Sequence, residues 1–213
     1  MNKYLPVDSQ EPSAEIINFT ASRLMQGAVI VFPTETVYGL GALVDKDMAQ
    51  GAHELFDIKN RSTGIPVPVL VPDADALDIY GTEVPEYAHK LAKEFWPGPL
   101  TIVVKASDMI PREFTNIEDG SVGLRFPDNE VVRQLMLATG RPLYATSANT
   151  HGSPPPVSID QLEPTIADAA SVIIDGGPTD VRVSSTVVRC MGDKPEILRE
   201  GPISEQNIME AIS

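Results

Sequence analysis

Five groups of residues in this 213-residue chain have types and spacings that could do chemistry together. They are Thr34 and Thr36 in FPTETVYGLG, Lys59 and Arg61 in KNR, Arg125 in GLRFP, and Ser147 and Asn149 in TSAN. Ser185 and Thr186 with Arg199 near the C-terminus form the fifth. Cations, hydroxyls and an amide together suit an anionic ligand that carries phosphates and a carboxylate. Arg supplies a bidentate fork, Lys a point charge, and Ser and Asn neutral hydrogen bonds. Each group also has an ordinary explanation. Lys59 and Arg61 fit a solvated helix end, Arg125 a salt bridge, and Ser147 and Asn149 a turn. No Walker A pattern and no GxGxxG is present, so no familiar phosphate loop accounts for them. His53, His89 and His151 lie far apart, without HExxH spacing, and no Ser-His-Asp arrangement can be placed. Cys190 stands alone and reads as a small buried hydrophobe, so no metal site is assigned.

Elements must carry these groups to one place. Ala28 to Phe32 is a continuous apolar run, as in a strand buried on both faces, and Pro33 ends it. Thr34 and Thr36 therefore fall where the chain leaves a sheet, which is where open α/β sheets bind ligands. The plainer alternative for 28–41 is a strand, a Thr-rich turn and a second strand. Helical spacing predicts helices opening at 12–15 and closing at Gly27, and over 47–58, 73–80, 85–95, 129–139, 158–169 and 203–212. Strands are predicted at 67–71, 100–105, 121–126, 143–146 and 172–175, and a hairpin joins 185–190 to 196–200. Pro68 marks the first of these as an edge or a bulge. Residues 1–12 read as a polar lead-in, and Ser62-Thr63-Gly64 as a loop. The alternation points to an α/β domain with a parallel or mixed sheet. The irregular stretch THGSPPP, beside TSAN, is expected to act as a lid.

Composition sets the outer limits. A hydrophobic content of 42% supports a sizeable core, and no run of eighteen apolar residues exists. The first twelve residues, MNKYLPVDSQEP, lack the apolar stretch of a signal peptide, so a cytoplasmic location is expected. Thirty acids against 16 bases give a net charge of −14, which argues against nonspecific attraction to nucleic acid or anionic lipid.

FPTETVYGLG, KNR, FWPGPLTIVV, GLRFP, TSAN, IIDGG, SSTVV and ILREGP occur here in one order. Together they resemble the YrdC-type threonylcarbamoyl-AMP synthase family, over about residues 14–205. The resemblance implies a twisted mixed or parallel α/β sheet, flanked by helices around a deep positively charged cavity. It implies one YrdC-like domain over 1–213, without the separate C-terminal domain of longer members. The activity implied is formation of threonylcarbamoyl-AMP and pyrophosphate from L-threonine, bicarbonate or CO2, and ATP. A downstream complex would then transfer the threonylcarbamoyl group to tRNA. By the same resemblance Lys59, Arg61, Ser147 and Asn149 surround the ATP phosphates, with Ser121 and Arg199 also near the nucleotide. Lys59 and Arg61 would stabilise developing charge, and Thr34, Thr36, Arg125 and Ser185 would hold threonine. Mg2+ is expected to arrive with ATP, with no permanently bound cofactor and no metal-holding side chains assigned.

Ser62, Ile65, Leu70, Pro155, Pro156, Val157 and Ser184 depart from the residues many members carry at those places. Two other readings compete with this one. One is a non-catalytic module binding tRNA or double-stranded RNA, which the −14 charge disfavours. The other is a carbamoyl-adenylate enzyme like the YrdC-type domains of larger hydrogenase-maturation proteins. Those carry additional Cys-rich domains.

Overall fold

The structure, a computed structural model, describes residues 3–62 and 64–213. Met1, Asn2 and Thr63, the centre of the expected 62–64 loop, lie outside the described residues. Strand β1 (Tyr4–Pro6) arises in the stretch that reads as a polar lead-in, because three residues with one buried side chain leave no alternating pattern to detect. Helix α1 (Ala14–Leu24) buries Ile17, Ala21 and Leu24 on one face. Fully burying such a side chain stabilises by about 1.5–3 kcal/mol. Strands β2 (Ile30–Phe32) and β3 (Gly39–Leu43) are buried at every residue, as their apolar runs require. Helix α2 (Gln50–Ile58) and the short strand β4 (Val69–Leu70) follow, with Pro68 just outside the paired residues. Next come α3 (Ala76–Tyr80), β5 (Gly81–Thr82), α4 (Glu86–Phe95), β6 (Leu100–Ala106) and β7 (Ser121–Arg125).

Helix α5 (Glu130–Thr139) is bounded by two capping signals. The Asn129 side chain accepts from Val132 N–H, and Gly140 takes the left-handed conformation at φ 64°. After β8 (Leu143–Ser147), the helix expected over 158–169 is broken. A 3-10 turn covers Ile159–Gln161 and α6 covers Pro164–Ala169. Pro164 is the cause, since a proline begins a helix but cannot sit inside one. Strand β9 (Val172–Asp175), the hairpin β10 (Thr186–Arg189) with β11 (Glu196–Arg199), and α7 (Glu205–Ile212) complete the order.

These elements form two compact units that alternate along the chain, residues 3–62 with 129–182 and residues 64–128 with 183–213. In the first, β1, β9 and β2 are parallel neighbours, and β3 pairs antiparallel with both β2 and β8. In the second, β7 lies parallel to β4 and antiparallel to β6. There β6 runs parallel to β10, β10 pairs antiparallel with β11, and β5 pairs antiparallel with β6. The pairing is thus the mixed α/β arrangement that the alternating elements predict. Among the described residues no helix is long and apolar enough to cross a membrane.

Candidate functional site

In the first unit, strand register brings two of the sequence motifs together. Phe32 pairs with Gly39, and Gly39 with Ser147, so FPTETVYGLG and TSAN meet at one end of the sheet. The glycines permit this by their size. A Cβ on Gly39 would lie 2.9 Å from the Phe32 ring, and one on Gly41 would strike the Tyr144 carbonyl oxygen and the same ring. Thr34 Oγ1 donates to Val37 O at 2.7 Å and accepts from Thr36 and Val37 N–H, each at 3.2 Å. Its one proton is thereby used within the turn, so Thr36 Oγ1, 2.9 Å away, donates to it. Thr36 is fully buried. Its carbonyl accepts from Thr179 Oγ1, and the Glu35 carbonyl accepts from Val181 N–H.

Tyr38 ties the neighbouring loops to this turn. Its N–H donates to Pro156 O, its carbonyl accepts from Ala148 N–H, and its hydroxyl donates to Gly177 O at 2.7 Å while accepting from Gly176 N–H. Burial drives the phenol up to about 12, so it stays a neutral donor in ordinary buffers. THGSPPP is therefore fastened at its C-terminal side, where Thr179 N–H also reaches Val157 O.

Lys59 reaches the same sheet end from α2. Asn60, at φ 48°, ends that helix in the left-handed region, and Arg61 N–H closes back on Phe56 O. Asn is among the few residues that tolerate this conformation, which accounts for the middle position of KNR. Lys59 is only 9% exposed, not the solvated helix end its sequence context allows. Its ammonium donates to Ser147 O at 2.9 Å, to Asn149 O, and to Asn149 Oδ1 at 3.3 Å. Ser147 Oγ also donates to Asn149 Oδ1, at 2.5 Å. Lys59, Ser147 and Asn149 thus form one hydrogen-bonded cluster. Burial first, and then the charge of Arg61, lower Lys59 to about 8, while Glu163 pulls it upward. Burial also lowers Arg61, although a guanidinium stays charged throughout the working range. Two neighbouring cations beside hydroxyl and amide groups can hold oxyanions and neutralise charge as it develops on them.

In the second unit another group collects at one end of its strands. Arg125 closes β7, Thr101 stands near the start of β6, Ser185 precedes β10 and Arg199 ends β11. Register makes these ends coincide, since Val187 is opposite both Thr101 and Arg199. Arg199 donates from Nε and Nη2 to Ser185 O at 3.0 and 2.8 Å, and from Nη2 to Ser185 Oγ at 3.2 Å. Ser185 Oγ lies 2.9 Å from Thr101 Oγ1, both residues being buried. Arg125, 7% exposed, donates from Nε to Gly98 O at 3.2 Å. Burial and then the Arg125 charge lower the proton affinity of Arg199. Two guanidiniums and a hydroxyl in one neighbourhood suit a carboxylate or a phosphate.

Ser121 is placed differently. It begins β7, the strand that Arg125 ends, so the two are about 13 Å apart along an extended chain. Its N–H donates to Asp119 Oδ1 at 2.8 Å, and Asp119 pairs with Arg189 at 2.8 Å. Thr101, Tyr38, Thr150 and Glu163 were not singled out by sequence reasoning. Thr101 had a usable signal, being a lone hydroxyl in the apolar run LTIVV. Glu163 had none, because its partner is thirteen residues away. Among the described residues no group of three or more His, Cys, Asp or Glu side chains could hold a metal ion.

Fold and side chains together define an α/β protein with cationic and hydroxyl-bearing residues gathered at strand ends in each unit. The chain belongs to the Sua5/YciO/YrdC family, whose model, described as "Telomere recombination", matches residues 22–201. It is 36% identical over 197 residues to the threonylcarbamoyl-AMP synthase of Pyrococcus abyssi, an alignment covering 92% of this chain and 57% of that protein. A Mycobacterium tuberculosis relative is 33% identical over 205 residues, covering 96% of this chain and 92% of the relative. The crystal structure of P. abyssi Sua5 complexed with L-threonine superposes with a TM-score of 0.88 at 34% identity, covering 99% of this chain and 61% of that one. This chain therefore spans less than two thirds of the P. abyssi protein.

Proposed function

We propose that this chain is a threonylcarbamoyl-AMP synthase, a nucleotidyltransferase that uses ATP, L-threonine and bicarbonate. The observation that carries the reading is the buried Lys59 ammonium bonded to both Ser147 and Asn149. Three members of the KxR/SxN set, scattered over ninety positions of sequence, thus share one cluster. P. abyssi Sua5, which binds L-threonine, supplies the second support.

In the proposed reaction the threonine amine combines with bicarbonate, losing water, to give a carbamate. A carbamate oxygen then attacks the α-phosphorus of ATP, and pyrophosphate leaves with the electrons of the broken P–O bond. Such chemistry needs positioning and charge neutralisation more than a strong base. Lys59, Arg61, Ser147 and Asn149 hold phosphate oxygens, and Arg199 adds a further nucleotide contact. Arg125 meets the threonine carboxylate, with Thr34, Thr36 and Ser185 assigned to the same amino acid. Mg2+ enters on the ATP phosphates, and a separate complex passes the product to tRNA. Ser121 was assigned to the nucleotide by resemblance alone, and Ser121→Ala tests it through the KM for ATP.

Pyrophosphate release measured with threonine and bicarbonate each omitted in turn decides the matter. Release that needs both supports the proposal. Release that proceeds equally without threonine, or with carbamoyl phosphate in place of bicarbonate, overturns it.

A further inference from the structure

A bonded chain running away from Asn149 ends on a carboxylate that the proposed reaction does not use. The Asn149 amide is gripped on both sides. Its Oδ1 accepts from Ser147 Oγ and Lys59, and its Nδ2 donates to Ser153 O at 2.5 Å. Ser153 Oγ lies 3.0 Å from Thr150 Oγ1. Thr150 in turn gives both its donors to one carboxylate, its N–H to Glu163 Oε1 at 3.1 Å and its hydroxyl to Glu163 Oε2 at 2.6 Å. The Ser153 hydroxyl hydrogen-bonds the same Glu163 carboxylate, so both loop hydroxyls converge on it. Glu163 is held at the residue before Pro164, at the start of α6. It thus joins the first half of the 150–157 loop to a regular element, much as Tyr38 fastens the second half.

We propose that Glu163 is a positioning residue, which by gripping Thr150 keeps Ser153, Asn149 and hence Lys59 in the arrangement that receives an anion. This rests on the assignment of Lys59 and Asn149 to the ATP phosphates. The loop needs such a clasp. Gly152 turns the chain at φ 87°, where a glycine is under no steric constraint, and the backbone itself closes that turn with Ser153 N–H to Thr150 O at 3.2 Å. Without the clasp the receptive arrangement is only one of several, and apparent affinity falls by the fraction of molecules that hold it. The Glu163 charge also favours the protonated Lys59 ammonium, a second effect of the same sign.

Glu163→Ala, Glu163→Gln, Thr150→Val and the Glu163→Ala/Thr150→Val double variant test this. Calorimetry gives the Kd for ATP, steady-state rates give kcat and both KM values, and amide exchange of peptides over 147–157 is followed without ligand. Glu163→Ala is expected to weaken ATP about tenfold, leave kcat and the threonine KM within twofold, and speed loop exchange about tenfold. Glu163→Gln, which can still accept from the Thr150 N–H, recovers most of both losses. The double variant is no worse than Glu163→Ala alone, as for residues acting in series. Additive losses, an unchanged ATP Kd, or unchanged loop exchange would each overturn the proposal. Exchange is read without substrates, so it judges the clasp even if the parent protein released no pyrophosphate.

Discussion

At Lys59 burial and the proposed phosphate contact meet in one side chain. Its three protons meet three acceptors, so an arriving phosphate must share or replace them. Removing the ammonium should cost about a hundredfold in kcat/KM, the usual loss of ~3 kcal/mol for a charge-stabilising contact. Lys59→Ala and Arg61→Ala kinetics check it, and near-normal turnover in both would remove their assignment. The pH dependence has two signs. With Lys59 at about 8, ATP affinity should weaken as pH rises through 8, because the neutral amine cannot hold a phosphate. Stability should move the other way. The unfolded lysine, near 10.5, binds protons that the folded one has released, so stability rises between about pH 8 and 10. Above pH 10 Tyr38, raised when folded, opposes that gain. Urea titrations at pH 8, 9 and 10 should show the parent gaining on Lys59→Met. A constant difference would mean that Lys59 keeps an ordinary proton affinity. The identities of these groups were legible in the sequence as types, but their burial was not. A KxR at a helix end looks the same whether it faces water or a sheet end.

At the scale of elements, the apolar runs and caps were readable and the close approaches were not. Strand β9, α4 and α5 lie within a residue of their expected bounds, because continuous apolar runs and a Gly or Asn cap are local signals. Strand β5, two residues long, and the 3-10 turns at Arg112–Phe114 and Ile159–Gln161 leave no period to find. The second strand that the plainer reading of 28–41 expects is β3, but nothing in YGLG tells that both its glycines admit the Phe32 ring. Gly41→Ala should therefore destabilise by about 1–3 kcal/mol, as overpacking of a filled core does, and lower the midpoint of urea unfolding. A midpoint equal to the parent's would show that the Tyr144 strand shifts without cost. Asn60 gives a complementary test. At φ 48°, replacement by a β-branched residue forces a strained backbone or opens the end of α2. Asn60→Val should cost about 1–2 kcal/mol, whereas Asn60→Gly should fall within a few tenths of the parent. Both leave Lys59 and Arg61 in the sequence, so a rise in the KM for ATP in Asn60→Val beyond that in Asn60→Gly would report the helix end as the element that aims them.

For the molecule as a whole, charge decides which substrates it can take. Lys59, Arg61, Arg125 and Arg199 are four of only 16 bases set against 30 acids, so the rest of the chain is more acidic still. A long polyanion must lie along that acidic surface, whereas a single nucleotide needs only a few local cations. Nonspecific RNA affinity comes mainly from counterions released by many phosphate contacts. A chain with a net charge of −14 therefore cannot gain much of it. In a gel-shift titration at about 100 mM salt, tRNA should show no complex below about 100 μM protein, the weak end of nonspecific binding. ATP affinity should change only severalfold between 50 and 200 mM salt, because few phosphates are engaged and their partners are partly screened from ions. A tRNA complex at micromolar protein with a steep salt slope would instead favour the RNA-binding alternative. It would also require a basic face that these residues, already bonded within their own clusters, do not supply.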